Sequence, residues 1–135
     1  MNLVFLASNV LFCGAYRSDA GLRRLWRLLT ARLITSAYVA EEARRNLSDP
    51  GQRRELEELL GSVDVVLTAA PMDHPLFLTM ELADKDRPVL LAAIGVGAPH
   101  LLTGDFRHFG PYYRQKIEGV LVMAPGEYLA SRTGQ

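Results

Sequence analysis

Val4-Phe5-Leu6-Ala7-Ser8-Asn9-Val10-Leu11-Phe12, read together with His100-Leu101-Leu102-Thr103-Gly104-Asp105, decides the fold. Each stretch places a small polar cluster directly after a short apolar run, the pattern of a buried parallel strand ending in a loop. Right-handed crossovers make parallel strands point the same way, so these exit loops gather along one edge of the sheet. Residues distant in the chain can therefore meet there.

Outward from these two anchors, helical and strand-like segments alternate. Leu3 to Leu6 forms the first strand, and a tight turn leads into a short helix from about Asn9. Ser18 or Asp19 caps a second helix, in which Leu22, Leu25, Trp26 and Leu29 fall on one stripe to be buried. Leu33-Ile34-Thr35 is the second strand. Ser36 caps a helix to about Leu47, broken by Ser48-Asp49-Pro50-Gly51, and Gln52 to Leu60 forms another that stops at Gly61. Val63 to Leu67, β-branched and apolar, is strand three, followed by a helix from about His74 to Ala83. Asp84 or Asp86 caps a helix through Ile94, stopped by Gly95 and Gly97. His100 to Leu102 is strand four, Gly119 to Met123 strand five, and Pro125 opens a final helical turn. Strands alternating with helices at this spacing predict an α/β three-layer sandwich, a central parallel sheet of about five strands flanked by helices.

The 135 residues suit a single domain, 1–135, with one core. Fifteen basic and fifteen acidic side chains cancel, so no global positive field advertises nonspecific nucleic-acid binding, and any grip on RNA must be local. The lone Cys13 excludes an internal disulfide and reads as a small buried hydrophobe. Leu3-Val4-Phe5-Leu6 is too short for a signal-peptide core, and the longest apolar stretch, Val89 to Leu102, is interrupted by Gly95, Gly97, Pro99 and His100. The expectation is a soluble, cytoplasmic protein without membrane contact.

The order and spacing of several acids add a resemblance. Leu6-Ala7-Ser8-Asn9-Val10-Leu11 resembles the Leu-Asp-x-Asn-Val-Leu pattern that ends the first strand of PIN domains, with Ala7 in the place of the first acid. The family's second acid matches Glu42, in the helix after strand two. The third matches Asp86 in Lys85-Asp86-Arg87-Pro88-Val89-Leu90, and the fourth matches Asp105 in the Thr103-Gly104-Asp105 turn. The likeness runs from about Asn2 to Ala130. It implies a PIN-like fold and an endoribonuclease of toxin–antitoxin type, with Mg²⁺ or Mn²⁺ held by Glu42, Asp86 and Asp105. It also implies a small antitoxin partner and a homodimer.

Such ions take hard oxygen ligands from a few carboxylates and keep several waters. Two carboxylates about 4 Å apart repel by roughly 4 kcal/mol at an effective dielectric near 20, which a cation resolves. Ala7 relieves part of that repulsion and removes a ligand, so the expectation is a stable but impaired nuclease.

Each candidate also has a plainer reading. Glu42 lies nearer the Val39, Ala43, Leu47 stripe than Glu41 does, although both could be surface charges. Asp86 could simply cap a helix, with Asp84 as fallback, and Asp105 could simply shape a turn in which Gly104 allows close backbone approach. Asn9 and Thr103 are candidates to hold the acids or their waters, or are turn residues. Arg107, His108, Tyr112, Tyr113, Arg114 and Lys116 mix cations with rings as a weak RNA rim. His74 and His100 read as structural. The competing function is a catalytically silent module that binds RNA or protein, which Ala7 favours. A nucleotide-binding domain is disfavoured because no glycine-rich phosphate loop follows strand one.

Overall fold

The computed structural model describes residues 2–16, 21–67, 75–78 and 80–132. Its strands are β1 (Asn2–Leu6), β2 (Ala31–Ser36), β3 (Asp64–Val66), β4 (His100–Leu102), β5 (Lys116–Ile117) and β6 (Val120–Met123). Its α-helices are α1 (Ser8–Tyr16), α2 (Ala37–Arg45), α3 (Pro50–Leu60), α4 (Arg87–Gly95), α5 (Phe106–Phe109) and α6 (Pro125–Ala130). The sheet order is β3-β2-β1-β4-β6-β5, and every pairing is parallel except β5 with β6. The chain leaves β1 toward β2 on one side, while β4 lies on the other. The strand order therefore reverses at the β1/β4 boundary, the kind of switch point where the exit loops part and a crevice opens.

Buried apolar side chains explain the central position of these two strands. Val4, Phe5, Leu6, Leu101 and Leu102 are fully buried, as both-face coverage requires. Around the sheet, α1 packs on α2 and α3, and α4 packs on β2 and β4. Ser36 begins α2 by accepting from the Val39 N–H, and Asp49 begins α3 by accepting from the Gln52 N–H with Pro50 in the first turn. Thr35, also fully buried, donates to the Leu6 carbonyl at 2.8 Å, tying β2 to the very end of β1.

Several expectations need correction. A sixth strand exists, because Glu118 and Gly119 both adopt positive φ (50° and 86°) and turn the two-residue β5 back onto β6. The segment holding Leu22, Leu25 and Trp26 is a 3₁₀ helix over Gly21–Arg27 that stops before Leu29, leaving Leu29 83% exposed. Cys13 is exposed rather than buried. Strand three lies at the sheet edge, shorter than expected, and Leu67 beyond it is 91% exposed. Of the helix expected from His74 to Ala83, the described part is a 3₁₀ turn at Pro75–Leu78, with Met80 to Ala83 non-helical. The expected caps at Ser18 or Asp19, and His74 itself, lie outside the described residues. Among the described residues, no helix is long and apolar enough to cross a membrane.

Candidate metal centre

The carboxyl ends of β1 and β4 open into a cavity of about 320 Å³ whose walls include Ala7, Ser8, Asn9, Glu42, Asp86, Thr103 and Asp105. Strand pairing carries up to this point, since Leu6 faces Leu102 in register and the Ala7 N–H donates to the Leu102 carbonyl at 3.0 Å. Ala7 thus stands on the same rim as the three acids.

Each acid is fixed differently. Glu42, on α2, accepts at 2.5 Å from the hydroxyl of Ser8 at the start of α1. Its neighbour Glu41 is exposed and pairs with Arg44 at 3.5 Å. Asp105 uses Oδ1 as the cap of α5, accepting from the backbone N–H groups of Arg107 and His108, both at 3.1 Å. That leaves its Oδ2 free of the backbone, 2.7 Å from Nδ1 of His108. Asp86 occupies the cap position of α4 yet makes no side-chain capping bond, so capping does not explain it. Arg87 pairs instead with Asp84, at 3.4 Å.

Asp86 is the most telling of the three. It is only 8% exposed, and its Oδ2 has no hydrogen-bond partner among the described residues. His108 Nδ1 lies 3.3 Å away from that oxygen. Burial pushes its carboxyl above the ordinary range and prevails over His108 and Lys85, whose pull downward exceeds the upward push of Asp105 and Glu42. Asp105 moves the opposite way: burial would raise it, but hydrogen bonds from the His108 side chain and from the His108 and Arg107 backbone outweigh that. Donor atoms of Asp86, Asp105 and His108 all lie within 4.8 Å of one another. A buried, unsatisfied carboxylate oxygen beside a second carboxylate and an imidazole offers oxygen and nitrogen donors that a divalent cation fits.

Asn9 and Thr103 stitch the two loops together. The Asn9 amide donates to Thr103 Oγ1 at 3.3 Å and its Oδ1 accepts from the Gly104 N–H at 3.0 Å. Thr103 Oγ1 accepts from the Asp105 N–H at 3.1 Å, and Tyr113 donates to the Thr103 carbonyl. Burial raises the Tyr113 hydroxyl to about 12, so it stays a donor. Glycine is not sterically demanded at Gly104: its φ is not left-handed, and an added Cβ would meet Asn9 at an ordinary 3.8 Å.

The supposed RNA rim divides. His108 lies inside the acid cluster, and Arg107 is exposed beside it. Arg114 is ion-paired with Glu127 at 2.6 Å. Lys116 faces Leu121, which faces His100, and so stands at the opposite end of β4 from the acids. His100 itself packs edge-on against Tyr128 at 5.1 Å, away from the site. Sequence reasoning missed Ser8 as the partner of Glu42 and His108 as a member of the cluster. The available signals were the adjacency of Ser8 to Ala7, and the three-residue spacing that returns His108 to Asp105 on a single helical turn.

The fold and acid cluster define a PIN-like α/β structure. Solved structures with this fold include VapBC2 from Rickettsia felis bound to a DNA fragment from their promoter. It has a TM-score of 0.69 and 13% identity, over 90% of this chain and 98% of that one. VapBC-1 from nontypeable Haemophilus influenzae gives 0.61 and 14%, over 92% and 98%. VapC20 from Mycobacterium tuberculosis, a Sarcin-Ricin loop cleaving toxin, gives 0.55 and 18%, over 76% and 92%. No family model matches the sequence, and no curated protein matches it significantly.

Proposed function

We propose that this chain is a PIN-type endoribonuclease of the toxin–antitoxin kind, using Mg²⁺ or Mn²⁺ and impaired by Ala7. One observation carries the proposal: the buried, unsatisfied Asp86 converges with Asp105, and with Glu42 on the same cavity wall, directly beside Ala7. The VapBC complexes among the structural neighbours support a small antitoxin as partner. The working form proposed with it is a cytoplasmic homodimer.

Asp86 and Asp105 would hold the ion, with Glu42 reaching it directly or through water. The chemistry supplied by a bound divalent ion is a water made nucleophilic near neutral pH and an offset for charge on the scissile phosphate. Ser8 orients Glu42, while Asn9 and Thr103 keep the Asp105 loop against the start of α1. Ala7 brings no carboxylate, so the ion is bound more weakly and held less rigidly. Beside the site a groove of about 790 Å³ is lined by residues that include Arg107 and Tyr112, which offer a cation for phosphate and a ring for a base.

The test compares the native chain with Ala7→Asp for Mn²⁺-dependent, EDTA-sensitive RNA cleavage. The variant should cleave markedly faster. Equal absence of cleavage in both would favour the second reading, a silent module that binds RNA or protein, for which Ala7 is the supporting observation.

A further inference from the structure

We infer that His108 is a ligand of the divalent ion, supplying through Nδ1 a nitrogen donor that biases the site toward Mn²⁺ and away from Mg²⁺. The inference rests on the metal-dependent reading above and adds to it a donor and a selectivity.

Nδ1 lies 2.7 Å from Asp105 Oδ2 and 3.3 Å from Asp86 Oδ2. A proton on Nδ1 can bond well to only one of these oxygens, the nearer being that of Asp105, and the Asp86 oxygen is then buried without a hydrogen-bond partner among the described residues. A cation in contact with all three atoms satisfies both carboxylates together. The spacing suits this, because neighbouring donors around an octahedral ion at about 2.1 Å lie about 3 Å apart, between the two observed separations. As a ligand the ring would carry its proton on Nε2 and present the Nδ1 lone pair to the ion.

The position of the ring is set independently of any ion. Asp105 caps α5 with its other oxygen, and this one-turn helix carries His108 back over the cap. A residue at this spacing replaces part of what Ala7 lacks. Imidazole binds first-row transition ions readily, whereas Mg²⁺ strongly prefers oxygen donors, so exchanging a carboxylate for an imidazole shifts preference toward Mn²⁺.

The experiment uses the full chain and its His108→Gln variant, titrated calorimetrically with MnCl₂ and MgCl₂. Pulsed electron paramagnetic resonance of the Mn²⁺ samples provides a readout that a merely structural role would not move. Expected are ¹⁴N modulation from a coordinated imidazole in the native chain, its loss in His108→Gln, and a Mn²⁺ affinity lower by roughly tenfold or more, with Mg²⁺ affinity little changed. Mn²⁺ bound without ¹⁴N modulation would overturn the inference, as would a variant that binds Mn²⁺ equally well or more tightly, the sign of a ring that merely plugs the site. In those cases the nuclease reading survives if Ala7→Asp cleaves RNA. Absence of ion binding in the native chain overturns the inference too, and if Ala7→Asp also binds none, the nuclease reading falls with it.

Discussion

The Ser8 hydroxyl donates to Oε1 of Glu42 at 2.5 Å, so the residue that follows Ala7 holds the acid of α2 against the end of β1. A short O–H···O⁻ bond of this kind is charge-assisted and directional, and it fixes which way the carboxylate faces. Replacing Ser8 with Ala should release Glu42 with only a modest stability loss, about 1 kcal/mol. In the Ala7→Asp background, Mn²⁺ affinity should fall by roughly tenfold. Chemical denaturation and calorimetric titration of the same samples separate the two effects.

Asp86→Asn should make the metal-free protein more stable at neutral pH. The folded-state value of Asp86 is raised above the ordinary 3.8, so the native state holds that proton more tightly than the unfolded chain does. Its contribution is therefore fully present below the unfolded value and lost as pH rises through the raised folded value. Asparagine removes that loss, so the variant's advantage in EDTA should appear at pH 7 and vanish near pH 3. Asp105, whose value is lowered, contributes with the opposite sign in both proteins. With Mn²⁺ at about 100 times its Kd the native chain should gain about 2.7 kcal/mol, a gain the variant should lack. Thermal melts at the two pH values, with and without Mn²⁺, check both statements.

Asn9→Ala removes the amide that joins Thr103 Oγ1 and the Gly104 N–H to α1. The expected cost is about 1 kcal/mol of stability, with looser placement of Asp105 and weaker metal binding. Hydrogen exchange should show faster opening at Gly104 and Asp105 while β4 itself stays protected.

Leu101→Ala tests the central position of β4. The side chain is fully buried between paired strands, so the substitution should cost about 2–5 kcal/mol in urea denaturation. A cost near zero would mean that β4 is not the core strand described.

The parts of the fold legible in the sequence are those set by long apolar runs. The ends of β1 and β4 follow from Val4-Phe5-Leu6 and Leu101-Leu102 because continuous burial leaves a strong signature, and Ser36 marks its helix by chemistry readable at one position. The hairpin of β5 is not legible: two residues carry no periodicity, and Glu118 gives no warning of a positive φ. The 3–4 spacing of Leu22, Leu25, Trp26 and Leu29 suggests a longer helix, but local periodicity cannot say where tertiary contacts stop, and Leu29 ends in solvent. At the site, matching acids by order is enough to nominate Asp86, Asp105 and Glu42. The part of His108 depends on how one short helix folds back on its own cap, which only the three-dimensional arrangement reveals.

The central claim is that these side chains converge to hold one divalent ion beside Ala7. Crystals soaked in MnCl₂ and measured for anomalous scattering test it most directly. A single strong peak in contact with both Asp86 and Asp105 is expected; a map with no peak there, while both carboxylates stand clear of lattice neighbours, would rule such an ion out.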